Sequence, residues 1–263
     1  MSGHKNGGFE DVLLFARQTP QGPLLHTVVT AQCEKVLAGG YPWRLWAVTQ
    51  IAEPGPDGLP SGEESANLAQ DEEELVGRLP GPEQALHCGS LQHRGHYVSL
   101  IYSVTPDPFE TGSPDDHRVF TSAHVWDVYC REDRKAEFLH RKFIPTPKER
   151  RRIGDRQVLE ALEEAGDRPE IPRPIRFFAL FPTQAQATAA GPAISEAGFA
   201  VTDTTEVPSQ DGPRWSVMFE KESPAGPGSI EQLSSQAQSL CESTGGEYDG
   251  WECAPVSAGQ SGQ

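Results

Sequence analysis

The last third of the chain alternates short apolar segments with two helical segments, and this order constrains the fold more than any other feature. Strands are predicted at residues 175–181, 199–207, 215–221 and 247–253. Helices are predicted to begin at Thr183 and Ser229, each followed three positions later by glutamine, as in a capping box. The order β-α-β-β-α-β predicts a split βαβ, ferredoxin-like sandwich, with both helices on one face of an antiparallel sheet.

The residues before this module predict another α+β domain. A helix is expected from Gly62 to about Leu79, and its acidic cluster at 71–74 is expected to be solvated. A tight turn at Arg94-Gly95 predicts a hairpin, and residues 105–116 predict a loop. Strands are predicted at 10–17, 24–31, 43–51, 85–93, 96–104, 119–130 and 138–143.

Between these two parts, the sequence TPKE predicts the start of a helix, with Thr146 as N-cap and Pro147 at the first helical position. We expect this helix to bridge the domains and its basic start to lie on a solvated face, unless acidic groups compensate it. The C-terminal module is expected to fold by itself. The predicted divisions are an N-terminal α+β domain at 9–145, a connector helix and linker at 146–171, a C-terminal domain at 172–253, and a disordered tail at 254–263.

The charge of the chain indicates what it binds. The formal net charge is −16, and from residue 172 onward four basic residues face eleven acidic ones. Such a surface repels phosphate, so direct binding of DNA or RNA is not expected. A basic protein partner is favoured instead.

The cysteines and the apolar segments indicate a compartment. Five cysteines are widely spaced and form no CxxC pair, which is typical of a reducing environment. No secretory leader and no apolar run of membrane-spanning length is visible. We therefore expect a soluble, cytoplasmic protein with no membrane contact, and its oligomeric state stays open.

Two stretches carry a resemblance to known bacterial families. FFALFPTQAQATAAGPAISEAGFAV, RWSVMFE and above all GGEYDGW are similar to the regulator of ribonuclease E activity B (RraB) family. PDGLPSGEE and GSLQHRGHYVSLIY resemble the family called domain of unknown function 695, and FIPTPKERRRIGDRQVLEALEEAGD resembles the connector in chains that carry both. The first resemblance implies a non-catalytic inhibitor that binds the scaffold region of ribonuclease E.

The expected contact surface lies in the acidic C-terminal module, where aromatic and acidic residues meet. For Trp251, packing in the core is the stronger alternative. The candidate partner-binding residues are Glu220, Glu222, Glu247, Tyr248, Asp249, Trp251 and Glu252.

Catalytic and metal-binding patterns are weak in this sequence. No GxSxG, HExxH, GxxxxGK[ST] or GxGxxG motif is present, so no catalytic residue is assigned. A zinc site at His87, Cys88, His93 and His96 has poor spacing, so no metal and no cofactor are expected. A protein-binding regulator is favoured over an immunity protein that blocks a basic nuclease toxin, and over an enzyme of unknown reaction.

Overall fold

The computed structural model describes residues 12–110, 117–209 and 212–256. The chain divides into two compact units, Met1–Ile144 and Pro145–Gln263. Both combine helices with an antiparallel sheet, so the α+β prediction is confirmed. The predicted start at residue 9 and most of the predicted tail lie outside the described residues.

The first unit is built on a seven-stranded antiparallel sheet in the order β1-β2-β4-β5-β3-β7-β6. Its strands are β1 (Val12–Thr19), β2 (Gly22–Val29), β3 (Trp43–Gln50), β4 (Ala85–His93), β5 (His96–Ser103), β6 (Arg118–Phe120) and β7 (Val125–Glu132). Its helices are α1 (Thr30–Ala38), α2 (Gly62–Gly77) and a short π-helix (Leu139–Phe143). The predicted hairpin at Arg94-Gly95 is confirmed, since β4 pairs with β5 across that turn.

The core of the first unit forms where α2 packs against the sheet. Leu68 and Leu75 of α2 are fully buried in one cluster with Leu45 and Ala47 of β3. Helix α1 packs against β2 and β4. Burial of these apolar side chains is the main source of stability for such a unit.

Two of the strand predictions for this unit are wrong. Residues 119–130 form two strands, because the chain turns at Thr121, whose N–H donates to the carbonyl of His124. Residues 139–143 form a π-helix, because the Asp133 carboxylate accepts the N–H groups of Glu137 and Phe138 and starts a helical turn. Helix α1 was not expected, since no side-chain cap marks its start.

The second unit has the predicted order β-α-β-β-α-β, preceded by one more helix. Its four strands lie in the order β11-β8-β10-β9, so the ferredoxin-like sandwich is confirmed. The elements are α3 (Pro147–Glu164), β8 (Arg173–Phe181), α4 (Gln184–Glu196), β9 (Ala200–Val207), β10 (Arg214–Ser223), α5 (Pro227–Ser243) and β11 (Glu247–Glu252). Helix α5 begins at Pro227 with Gly226 as N-cap, so the predicted start at Ser229 is corrected.

Helix α3 belongs to the second unit and is not a connector. Its start has the predicted capping box, in which Thr146 and Glu149 exchange hydrogen bonds. The helix packs against α5 and β11 and contributes Leu162 to the core of the unit. That core joins the inward side chains of β8 to apolar residues of α4 and α5. The sandwich therefore carries three helices on its inner face.

Candidate functional site

Strand β11 carries the GGEYDGW motif along one edge of the second sheet. It pairs only with β8, and the register shifts between Tyr248 and Gly250, which makes Asp249 the extra residue of a β-bulge. Gly250 has a φ of 111°, a conformation that residues with a Cβ rarely adopt. The bulge places Tyr248 and Trp251 on the inner face, opposite inward residues of β8.

The two aromatic side chains of β11 are buried to different degrees. Trp251 is 6% exposed, and its indole N–H donates to Oδ1 of Asp155 on α3 at 2.9 Å. Tyr248 is half-buried, and its hydroxyl oxygen has no hydrogen-bond partner among the described residues. Burial and the nearby Asp155 raise the pKa of Tyr248 well above its usual range. Trp251 is thus a core residue, as the alternative interpretation of the sequence proposed.

A buried polar network joins α3 to α5. Arg151, with 1% of its side chain exposed, donates to Oδ2 of Asp155 at 2.8 Å and to the hydroxyl of Ser234 at 2.6 Å. Glu231 accepts from both Arg151 and Arg152. The expected solvated face is confirmed for Lys148, Arg150 and Arg152, which are exposed, and is corrected for Arg151, which is buried with its charge compensated by acids of its own unit.

The surroundings of Asp155, the buried acid of this network, shift its pKa. Burial raises the pKa of Asp155, although Ser234, Arg151 and Trp251 oppose that shift by stabilising the ionised form. The sequence did not single out Asp155. The only available signal was its spacing of four residues from Arg151, which is common in surface helices.

A cleft of about 690 Å³ lies between the first half of α3, the end of α5 and strand β11. Every residue of β11 contributes to its wall. The opposite wall includes Arg150, Gly154 and Gln157 of α3, and Gln238 and Glu242 of α5 lie at its end. The predicted motif therefore forms one side of a concave surface with a mixed polar and apolar lining.

The exposed acids of β11 differ in their partners. Glu247 pairs with Arg214 at 2.9 Å, and Glu252 pairs with Arg176 at 3.0 Å. Asp249, on the bulge, has no ion-pair or hydrogen-bond partner among the described side chains. Partial burial and the charge of Glu247 raise the pKa of Asp249, against the effect of Arg214.

The remaining predicted residues lie on β10. Glu220 lies opposite Arg176 of β8, which on its other side lies opposite Glu252 of β11. These three side chains form a row across the sheet, on the face turned away from the helices. Glu222 is exposed two residues further along. The structure thus brings Glu220 close to Glu252, while neither Glu220 nor Glu222 lines the cleft.

The acidic cluster of α2 in the first unit is only partly solvated: Glu73 is exposed as predicted, whereas Asp71 is buried and Glu72 is largely buried, which corrects the prediction for these two residues. Asp71 is 2% exposed and accepts from the Thr121 hydroxyl at 2.7 Å, from the Ala123 N–H at 3.1 Å and from Nδ1 of His124 at 2.7 Å. Burial alone would raise the pKa of Asp71, but these bonds outweigh burial and lower it. Asp71 therefore fastens α2 to the turn between β6 and β7.

The histidines weighed for zinc have other contacts. Nε2 of His87 lies 3.1 Å from Glu72, which also accepts from the Tyr97 hydroxyl at 2.7 Å. His93 bonds to the carbonyl of Pro23, on β2. Among the residues that the structure describes, no group of three or more potential metal ligands is placed to hold an ion.

Fold and site together define a small binding domain of the split βαβ class, with an acidic edge strand beside a cleft. Residues 152–253 match the family model described as regulator of ribonuclease activity B. The match begins inside α3 and ends after β11, so it covers β11 and most of the cleft but not Arg150 and Arg151 of the α3 wall. In coarse terms it supports a role in regulating a ribonuclease.

Other comparisons add less. No curated protein matched the chain. The resemblance of the first unit to the domain of unknown function 695 family stays a prediction. None of the helices in the described ranges is long and apolar enough to span a membrane.

Proposed function

We propose that the chain is a non-catalytic regulator that binds a ribonuclease of the ribonuclease E type, or its scaffold, through the acidic side of the second unit. The observation that carries this proposal is the family match over the unit that contains β11. The family is described as a regulator of ribonuclease activity, and the matched residues include all seven candidate contact residues.

The electrostatics of the second unit support a basic partner. Glu220 and Glu222 lie on β10, and Glu247, Asp249 and Glu252 lie on β11, with β8 and its Arg176 between these two strands of one sheet. Arg176 pairs with Glu252, and Arg214 of β10 pairs with Glu247. Opposite charges across an interface accelerate association, and salt screens that effect. Binding is therefore expected to weaken as the salt concentration rises.

The first test is capture of the tagged full chain with its partners from the lysate of its own host, followed by elution with raised salt. The expected result is a ribonuclease, or a protein bound to one, whose RNA cleavage slows when the purified chain is added. A partner with no link to RNA cleavage, or unchanged cleavage, contradicts the proposal.

The contact face is tested with the double variant Asp249→Lys and Glu252→Lys. Because both side chains are exposed, we expect unchanged folding and association about tenfold slower at low salt. The matched control is Glu196→Lys with Glu206→Lys, which makes the same charge change at exposed positions away from β11. Equal on-rates for the two double variants would place the contact face elsewhere.

A further inference from the structure

Two neighbouring groups at the cleft lack partners inside the protein. The buried Tyr248 hydroxyl has no hydrogen-bond partner, and the Asp249 carboxylate has no ion pair and no hydrogen bond, among the described residues. A buried polar group without a partner costs about 1–3 kcal/mol, so such groups are uncommon in a folded protein. Both groups lie on β11 and line the same cleft. The Tyr248 hydroxyl is inaccessible, whereas Asp249 is exposed, so a ligand with a positive charge would satisfy the Asp249 carboxylate.

The cleft is elongated along an edge strand. Strand β11 is paired on one side only, so the backbone groups on its other side can accept a further strand. The opposite wall is helix α3, where Gly154 faces open space and leaves the groove wider than a larger residue would. A groove between an edge strand and a helix fits an extended peptide, which gains main-chain hydrogen bonds from the strand.

The excess of carboxylates in the wall of the cleft favours a basic peptide. Its wall contains Glu242, Glu247, Asp249 and Glu252, together with the Arg151–Asp155 pair and Arg150. Because Arg151 is neutralised by Asp155, one arginine faces four carboxylates, two of which are paired with arginines of β8 and β10. Of the other two, Glu242 accepts a hydrogen bond from Gln238 at 3.0 Å, whereas Asp249 has neither an ion pair nor a hydrogen bond among the described residues.

We propose that an extended, basic segment of the protein partner lies in this cleft as an added strand beside β11, with a lysine or arginine side chain against Asp249. This inference rests on the proposed function and names the part of the partner that the site takes. The α3 wall covers the outer side of that segment.

The probe is a fluorescent peptide of about eight residues that alternates lysine with threonine, long enough to span the six residues of β11. We expect measurable binding to the full chain at low salt, and none for the matched peptide in which glutamate replaces lysine. A lysine peptide that binds no tighter than about 1 mM, the weak end of specific recognition, overturns the proposal.

Variants of the cleft test where the peptide lies. Asp249→Asn keeps the size and shape of the side chain but removes its charge. It should weaken peptide binding at least tenfold, which corresponds to the free energy of about one charge-assisted hydrogen bond. Gly154→Gln places a side chain in the groove and should abolish binding, whereas Gly154→Ala should retain it. Gly191→Gln on α4, also at a helical glycine facing open space, is the matched control and should bind as the wild type does. Unchanged affinity for both Asp249→Asn and Gly154→Gln shows that the peptide binds elsewhere.

Methylated peptides test the added strand. Methylation of alternate backbone nitrogens removes the donors on one edge of an extended peptide, and methylation of the other set removes those on the opposite edge. One methylated form should lose binding while the other retains it. Equal affinities of the two forms contradict strand addition.

The captured partner separates this inference from the proposed function. If a ribonuclease is captured and Gly154→Gln still binds it as tightly as Gly154→Ala does, the regulator function stands and the cleft inference fails. If no ribonuclease is captured, the proposed function itself fails, whatever the peptides do.

Discussion

Trp251→Phe distinguishes a core role of the YDGW strand from a contact role. The indole N–H donates to Asp155 at 2.9 Å inside the unit. Phenylalanine keeps an aromatic ring there but leaves Oδ1 of a buried acid without that donor, at about 1.5–3 kcal/mol. The smaller ring loses packing worth about 1 kcal/mol more. The expected loss in the free energy of unfolding is therefore about 3 kcal/mol.

Urea denaturation of the full chain, followed by far-ultraviolet circular dichroism, measures this loss. Trp215→Phe is the control, because Trp215 packs against the same core but its indole N–H has no hydrogen bond among the described residues; its loss should be about 1 kcal/mol. Partner binding by folded Trp251→Phe should stay close to wild type. A stability change below about 0.5 kcal/mol together with lost binding would refute the core assignment.

Asp71→Ala should lower the free energy of unfolding by about 3 kcal/mol, because it removes the buried acceptor of three hydrogen bonds from the turn between β6 and β7; Asp127→Ala, at an exposed position of the same hairpin, should change it by less than about 0.5 kcal/mol in the same urea assay. The fragment 145–256 should melt cooperatively, whereas 172–256 should not, since it lacks α3 and with it Asp155, the acceptor for Ser234 and Trp251; a cooperative melt of the shorter fragment would support the predicted boundary. Because the pKa values of Asp71 and Glu72 are lowered by folding, the first unit should hold its stability above about pH 4 and lose it as the pH falls further, which melts across an acid series would show.

The sequence predicted the second sheet well because each of its elements is marked locally. Strand β8 alternates buried and exposed residues, and Thr183 caps α4 by accepting from the N–H of Gln186. Turns at Gly198 and Gly245, both with positive φ, separate the elements. Such signals depend only on neighbours in sequence, so they are visible without the fold.

The role of α3 could not be predicted in the same way. Its capping box marks where it begins, but nothing local shows which unit it packs against. Arg151 and Asp155 look like an ordinary exposed pair four residues apart, and only Ser234 and Trp251, about 80 and 100 residues later, bury them. Long-range burial of charge leaves no periodic signal.

The prediction that the acidic cluster of α2 is solvated was wrong for Asp71 and Glu72 for a related reason. Successive acids on a helix usually face water, and the sequence does not show that a hairpin about 50 residues later supplies donors to Asp71. Glu72 is likewise held by His87 and Tyr97 from two strands. Polar side chains that bridge distant elements are thus the part of this structure that composition and periodicity miss.

The YDGW strand shows why a motif can be both a fold signature and a binding surface. In a regular strand, residues three positions apart face opposite sides, so Tyr248 and Trp251 share a face only because the bulge at Asp249 adds a residue. Gly250 permits that backbone, and Trp251 then ties the strand to α3. The same bulge leaves Asp249 exposed and unpaired beside the cleft. A match to these four residues therefore reports packing through Trp251 and Gly250, while the proposed binding role rests on Asp249, the position at which charge can be changed without disturbing the core.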